Sequence, residues 1–335
     1  MTLNPSALTT TRVALDERRQ SAGVLAGAMT FSLALALTVP LASAVIALIV
    51  CGVWHNLAEF RFLARQGLGV LGERRVMLPL LTLFGGIGLV RLLAVLGIMG
   101  VGDSRHGEIA LGYSTLAGLA CWTVSPRRLM RWVLPLIGTA AWWSWNHPAL
   151  HFVGLAQIHN IIPALLLIGW SRGGLLQRTG IHILWALVIP ALLLTGCFDH
   201  WMVSDTHLGA AIAGHWTDFA RGYVPASWLG TPMALRGLML FAYLQLLHYF
   251  LWIIWIPRYS DQLTLPSTPT DVPLLSTITT RQGMIVGAVA AMVIGALMST
   301  DFLLGRGLYA SLASVHAYLE FPMLFMMVMQ PTRNP

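Results

Sequence analysis

The residues of this chain best suited to chemistry are histidines and acids placed inside strongly apolar stretches. Four histidines lie in separate apolar segments, and they are His55, His159, His248 and His316. Two of them are followed four residues later by a glutamate, His55 by Glu59 and His316 by Glu320. Because residues four apart share a helix face, each His-x-x-x-Glu pair presents both side chains in one direction. Ionisable side chains are costly in hydrocarbon, so those in membrane helices usually face the bundle interior and mark a functional site.

The composition is that of a membrane protein. The chain has 335 residues, of which 56% are hydrophobic and 10% are charged, whereas a soluble domain carries about 25% charged residues. The mean hydropathy is +0.72. We therefore predict an all-α fold, a polytopic integral membrane helical bundle.

The basic residues of the chain are all arginines. The formal net charge is +7, and the 20 arginines are scattered through short connections between apolar runs. This pattern is typical of topology signals facing the cytoplasm, not of nucleic-acid binding. A retinal Schiff base requires a lysine amine, so a rhodopsin-type photoreceptor is excluded. The three cysteines have no paired spacing, which argues against a disulfide framework or a cysteine zinc site.

Ten apolar segments are expected to span the membrane, which requires about 17–25 residues each. Their approximate bounds are 22–38, 41–60, 76–99, 108–124, 132–146, 149–170, 181–197, 235–256, 283–300 and 307–329. Pro40 is expected to separate the first two, because proline lacks a backbone donor and disfavours helix at the preceding residue. Residues 22–330 would then form one transmembrane domain, with a tail at 1–21, an outer loop at 198–234 and an inner linker at 257–282.

The distribution of arginine sets the orientation. With ten spans and both termini in the cytoplasm, fifteen arginines fall in inner segments and three in outer segments, as the positive-inside rule requires. We expect a protein of the bacterial inner membrane, with Trp252 and Trp255 as interface anchors near the inner end of the eighth span. A cleaved signal within residues 1–44 is the alternative, because Leu41-Ala42-Ser43-Ala44 resembles a small-residue cleavage site.

The four histidines are expected to share one layer of the bilayer. Counted from the outer ends of their spans at 1.5 Å per residue, they lie roughly 14 to 21 Å deep, near the middle of the hydrocarbon. Glu320 falls in this layer, and Glu59 lies about one turn nearer the cytoplasm. Imidazole suits iron, copper and zinc, and carboxylates add oxygen ligands. The sequence therefore predicts a metal site formed by His55, His159, His248, His316, Glu320 and Glu59.

Other polar residues lie closer to the outer surface. His147 and His151 have a spacing that metal ligands share, and they form a secondary candidate pair. The outer loop carries histidines and aspartates, including Asp199, His200, His207 and His215, which we interpret as part of a cap over the bundle. Arg91 and Arg236 are expected to pair with outer acids such as Asp103 or Glu108.

The motif order His-x-x-x-Glu, Ile-His-Asn, Leu-His-Tyr and His-x-x-x-Glu resembles the Brp/Blh family of membrane β-carotene dioxygenases. In that family a helical membrane bundle holds one non-haem iron through histidines from several helices. The resemblance implies that the iron ligands are His55, His159, His248 and His316, with Glu59 and Glu320 supporting them. The chain has Glu59 where the family has an aspartate, and only His248 where the family has a later His-x-x-x-His pair.

These observations lead to one expected function and two alternatives. We expect a metal-dependent oxygenase that uses iron, with dioxygen and a lipophilic substrate, carotenoid-like or another lipid, entering from the bilayer. Copper and haem b are the alternative cofactors, and a haem-b protein would transfer electrons to or from quinone, with His159 and His248 as axial ligands. A proton-coupled transporter with Glu59 and Glu320 in a relay is the third class.

Overall fold

The chain is helical throughout the part that the computed structural model describes, which comprises residues 5–66, 74–123, 127–170, 173–201, 210–211, 213–214, 216–259 and 280–329. The helices are α1 (Pro5–Thr38), α2 (Pro40–Gln66), α3 (Arg74–Val95), α4 (Val101–Thr123), α5 (Arg127–Asn146), α6 (Pro148–Trp170), α7 (Gly173–Thr195), α8 (Trp216–Ala220), α9 (Pro232–Phe250), α10 (Ile256–Tyr259), α11 (Arg281–Thr300) and α12 (Phe302–Met329). Short 3₁₀ turns lie at Asp199–Trp201 and Ala226–Trp228. A π-helical turn, Leu251–Trp255, joins α9 to α10.

Five stretches of these helices are long and apolar enough to cross a membrane, among the residues described. They are Gln20–Thr38, Pro40–Phe62, Pro148–Leu167, Pro232–Tyr259 and Arg281–Thr300. Two shorter apolar stretches, Leu81–Val95 and Ile183–Thr195, add to them. The all-α membrane architecture therefore follows from the structure, while the number of ten spans and the cytoplasmic position of the termini stay predictions.

Proline sets several of the helix boundaries. Helix α1 ends at Thr38 and α2 begins at Pro40, so the long apolar run is divided where the sequence predicts. Helices α6 and α9 also begin at proline, at Pro148 and Pro232. Proline suits the first turn because its missing N–H is one that a helix start leaves unpaired in any case. Helix α1 begins at Pro5, within the residues predicted as a tail, and its apolar part starts at Gln20.

Glycine allows close packing of the helices around the centre of the bundle. A Cβ atom at Gly88 of α3 would lie 2.7 Å from the backbone oxygen of Ser311 in α12. A Cβ at Gly305 of α12 would lie 2.5 Å from the backbone nitrogen of Met298 in α11. Small residues at such crossings let membrane helices approach closely, which supplies the van der Waals contact that holds them together. These contacts hold α12 against α3 and α11.

Candidate metal centre

Three buried histidines from three different helices meet at the centre of the bundle. His55 of α2, His248 of α9 and His316 of α12 have exposed fractions of 1%, 0% and 3%. One ligand atom from each residue lies within 4.8 Å of the others, a grouping that could hold a metal ion. The ring centroids of His55 and His248 are 5.1 Å apart, and those of His55 and His316 are 4.7 Å apart. We refer to these three residues as the histidine triad.

His159 of α6 completes the group at the edge of the triad. Its ring centroid lies 5.2 Å from that of His248 and 5.5 Å from that of His316. This side chain is half-buried and lines a cavity beside the triad. The structure thus brings together all four histidines that the sequence places at a common depth.

Backbone carbonyls orient two of the rings. The Nδ1 atom of His159 lies 2.9 Å from the carbonyl oxygen of Leu155, and Nδ1 of His55 lies 3.3 Å from that of Cys51. A carbonyl oxygen only accepts, so Nδ1–H donates and Nε2 keeps its lone pair. Such second hydrogen bonds fix the tautomer of a metal-binding histidine. For His55 this Nε2 faces His316, whose Nε2 lies 3.1 Å away, so without an ion it can accept a hydrogen bond from His316.

Several buried polar atoms around the triad have no hydrogen-bond partner among the described residues. They are both ring nitrogens of His248, Nδ1 of His316, both carboxyl oxygens of Glu59 and one, Oε2, of Glu320. A buried polar group without a partner costs about 1–3 kcal/mol. Native proteins seldom leave so many together, and an ion is one of the groups that explain such a cluster.

A second layer of polar groups lies one turn further along the same three helices. Glu59 follows His55 by four residues, Glu320 follows His316 by four, and Trp252 follows His248 by four, within the π-helical turn. Both carboxyl groups are fully buried and interact electrostatically with each other. The indole Nε1 of Trp252 donates to Oε1 of Glu320 at 2.8 Å.

The two layers show that the three ligand-bearing helices run in the same direction. Since His55 contacts His316 and Glu59 interacts with Glu320, residue numbers increase together along α2 and α12. The contacts of His316 with His248 and of Glu320 with Trp252 give the same result for α9 and α12. Parallel neighbours place equivalent positions side by side, and this allows three separate helices to form a histidine layer and an acid layer.

A cavity of about 450 Å³ opens beside the triad. Its wall includes two of the histidines and two polar residues next to them, which are His159, His316, Gln245 and Tyr249. Farther along α3, α4 and α12 the wall includes charged residues, which are Arg91, Arg105, Glu108 and Arg306. Apolar residues such as Leu48, Leu155 and Phe241 lie between. A pocket of this size accommodates a small molecule or part of a lipid chain.

The secondary pair His147 and His151 lies away from the triad. His147 is exposed and contacts the ring of Trp143 at a centroid distance of 5.4 Å. His151 is buried, but both of its nitrogens have partners: Nδ1 lies 3.1 Å from Oγ of Ser144 and Nε2 lies 3.0 Å from the hydroxyl of Tyr318. Both nitrogens of His151 are therefore engaged within the protein.

Both arginines that the sequence singles out form pairs with acids, as predicted. Arg91 binds Glu108 through two hydrogen bonds, from Nε at 2.5 Å and from the terminal nitrogen at 2.8 Å. Arg236 also pairs with an acid of the predicted outer region, but that acid is Asp199 and neither of the two named examples, at 3.0 Å from Nε to Oδ1. The hydrogen bond from Arg236 holds the pKa of the Asp199 carboxyl below its ordinary value. Asp199 is thereby used in an ion pair, while His207 and His215 of the predicted cap lie outside the described residues.

The role of Trp252 and Trp255 differs from the prediction. Both indoles are fully buried, with exposed fractions of 0%, so they are not interface anchors. Trp255 donates to the backbone oxygen of Ser21 at 3.3 Å, which connects α1 to the end of this helix. The signal that could have identified Trp252 is its spacing of four from His248, which repeats the spacing of the two glutamates.

Comparison with known proteins adds no relative. No family model, curated protein sequence or solved structure matches the chain.

Proposed function

We propose that this protein is a membrane-embedded non-haem iron oxygenase acting on a lipophilic substrate. The observation that carries the proposal is the state of His248. This imidazole is fully buried, has no hydrogen-bond partner for either nitrogen among the described residues, and is surrounded by three other imidazoles. A metal ion would satisfy such a nitrogen, and neither nitrogen of His248 has a hydrogen bond to a neighbouring imidazole in its place.

The spacing of the nitrogens fits a shared ion. Two imidazole nitrogens bound at about 2.1 Å to one ion stand roughly 3.0 to 4.2 Å apart, depending on the angle between them. The 3.1 Å separation of the Nε2 atoms of His55 and His316 lies in that range. The widest separation allowed within the triad, 4.8 Å, requires only a small movement of the rings.

The choice of iron follows from the ligand set and the resemblance. An iron ion held by three or four imidazoles supplies open positions at which dioxygen can be activated. His55, His248 and His316 would hold the ion, and His159 would be the fourth ligand or would face the substrate from the cavity wall. The carbonyl groups of Cys51 and Leu155 keep the rings of His55 and His159 in the required orientation.

The cavity provides access for a lipophilic molecule. It reaches His159 and His316 and is walled by apolar side chains over part of its length. An apolar wall excludes water from the reacting groups and limits side reactions. The substrate would enter from the surrounding bilayer, which we propose is the bacterial inner membrane.

The two glutamates are suited to holding a proton beside the site. Two carboxylates buried together are strongly disfavoured, so we infer that the pair shares a proton. Trp252 donates to Oε1 of Glu320, which leaves Oε2 as the atom that carries or releases it. Glu320→Gln keeps an oxygen for the indole but cannot release a proton. We expect this variant to fold and to retain iron, but to be inactive when it is assayed with the substrate.

The geometry favours a mononuclear site over haem. A haem between two axial histidines places its flat ring between nitrogens about 4 Å apart. The ring centroids of His159 and His248, the expected axial pair, are only 5.2 Å apart, and the rings of the triad contact one another directly. A Soret band in the purified protein would contradict this preference.

Elemental analysis of the purified protein is the decisive test. We expect about one iron per chain in the wild type and a large loss of iron in His55→Ala and His316→Ala. His147→Ala is the matched control, because this exposed histidine lies outside the cluster. A chain with no stoichiometric metal would refute the oxygenase and favour a proton-coupled transporter that uses the glutamate pair.

A further inference from the structure

The end of the cavity away from the histidines carries an excess of positive charge. Three guanidinium groups, those of Arg91, Arg105 and Arg306, line it together with one carboxylate, that of Glu108. Glu108 is fully engaged, because both of its oxygens accept from Arg91. Among the residues described, no acid forms an ion pair with Arg105 or Arg306. Two cationic groups at the cavity are therefore left without a counter-charge.

Aromatic rings hold these two guanidinium groups in position. The Cζ atom of Arg306 lies 4.8 Å from the ring centroid of Tyr223 and 5.5 Å from that of Phe219. The Cζ atom of Arg105 lies 6.0 Å from the ring centroid of Phe152. Contact with an aromatic face stabilises a guanidinium while leaving its in-plane N–H groups free to donate.

The backbone beside Arg306 is shaped for its guanidinium. A Cβ atom at Gly222 would collide with the terminal nitrogen of Arg306. Glycine at this position leaves room for the guanidinium against the chain that precedes α9, and a larger residue would displace it. Both residues line the cavity, so the guanidinium is placed at its wall and not directed into bulk solvent.

The distance from these arginines to the histidines fits one molecule. Arg306 and His316 are ten residues apart on α12 and both line the cavity, which corresponds to about 15 Å along the helix. A molecule whose head lies at Arg306 can extend an apolar tail past Leu155 and Phe241 toward His159 and His316. Guanidinium groups bind carboxylate and phosphate oxygens in paired, charge-assisted hydrogen bonds.

We propose that the cavity binds an anionic amphiphile, with its carboxylate or phosphate head on Arg105 and Arg306 and its apolar tail directed at the histidine triad. This inference rests on the proposed function in that the bound molecule is the substrate of the iron site. It narrows the substrate class from any lipophilic compound to one with a single acidic head and a long apolar chain. A neutral hydrocarbon would leave both guanidinium groups without a partner.

Three probes with the same tail and different heads separate the sources of the anion. Hexadecanoate, hexadecyl phosphate and hexadecanol compete against a fluorescent fatty acid for the full-length protein in a neutral detergent. We expect at least one anionic probe to bind roughly tenfold to a hundredfold more tightly than the alcohol, which is the range for a charge-assisted hydrogen bond. Preference for the carboxylate indicates a fatty acid, and preference for the phosphate indicates a phospholipid.

Arginine variants then assign the site. Arg306→Gln and Arg105→Gln should each remove most of the difference between the anionic probes and the alcohol. Arg306→Lys keeps the positive charge and should retain part of this difference in binding. It replaces Arg306→Gln as the test if that variant folds poorly. Arg221→Gln is the matched control, because Arg221 is exposed, pairs with Asp218, and does not line the cavity. This control should bind like the wild type.

Iron content measured on the same samples separates this inference from the proposed function. Equal binding of all three probes, or unchanged binding by both Arg306→Gln and Arg105→Gln, overturns the anionic-head inference even when the protein holds iron. Head-dependent binding by a protein without iron supports the anion site and refutes the oxygenase. Head-dependent binding that the arginine variants abolish, in a protein that keeps one iron per chain, supports both.

Discussion

Replacement of His248 by leucine should change stability in opposite directions with and without the metal. In the metal-free protein the substitution removes two buried nitrogens that have no partner, and each such group costs about 1–3 kcal/mol. We therefore expect metal-free His248→Leu to be more stable than the metal-free wild type by about 2 kcal/mol. An ion present at 1,000 times its dissociation constant stabilises the folded wild type by about 4.1 kcal/mol. This increment should vanish in His248→Leu.

His151→Leu is the matched control, since it replaces another buried histidine in the same bundle. Its nitrogens are bonded to Ser144 and Tyr318, so the substitution should destabilise both forms by about 1–3 kcal/mol and leave the iron in place. The assay is thermal unfolding in detergent, followed by circular dichroism, with iron measured on the same samples. Full iron occupancy in His248→Leu, or lower stability of its metal-free form, would show that His248 is a packing residue and not a ligand.

Two further predictions concern helix packing and the outer loop. Gly88→Ala should destabilise the protein by about 1–3 kcal/mol, because its Cβ would lie 2.7 Å from the backbone oxygen of Ser311. Gly85→Ala is the control, since a Cβ there meets open space, and it should be neutral or stabilising. Equal unfolding temperatures for the two variants would contradict this packing. The pKa of Asp199 is lowered by Arg236, so the stability from this pair should be present above the ordinary carboxyl pKa and decline as pH falls through the lower value in the folded protein. The difference in stability between Asp199→Asn and wild type, measured from pH 7 downward, tests this, and a difference that does not decrease as the pH falls would count against the ion pair.

The features that the sequence predicts well are those that depend on one-dimensional counting. Pro40 divides the first apolar run because its effect on the helix is local. Counting residues from the ends of apolar segments places four histidines at one depth, and in the structure their rings meet. The spacing of four likewise places Glu59 and Glu320 on the faces that carry His55 and His316.

The features that the sequence does not predict depend on how the helices are rotated and which of them are neighbours. Depth gives no information about the direction of a side chain around its helix axis. Counting places His151 nearer the outer surface than the triad, but it does not show that Ser144 and Tyr318 bind both of its nitrogens. Trp252 follows the same spacing as the acids, but its bond to Glu320 requires the π-helical turn after α9 to lie beside α12. The arginine end of the cavity depends on the same kind of tertiary contact.

The parallel course of α2, α9 and α12 has a consequence for biogenesis. Parallel helices cannot be joined by a short hairpin, and His55 and His316 are 261 residues apart in the chain. During synthesis, α2 and α9 are made before α12, so the histidine triad is complete only after α12 has inserted. Metal capture would then be a closing step of maturation, and a nascent chain released before α12 would lack one of the three imidazoles of the triad.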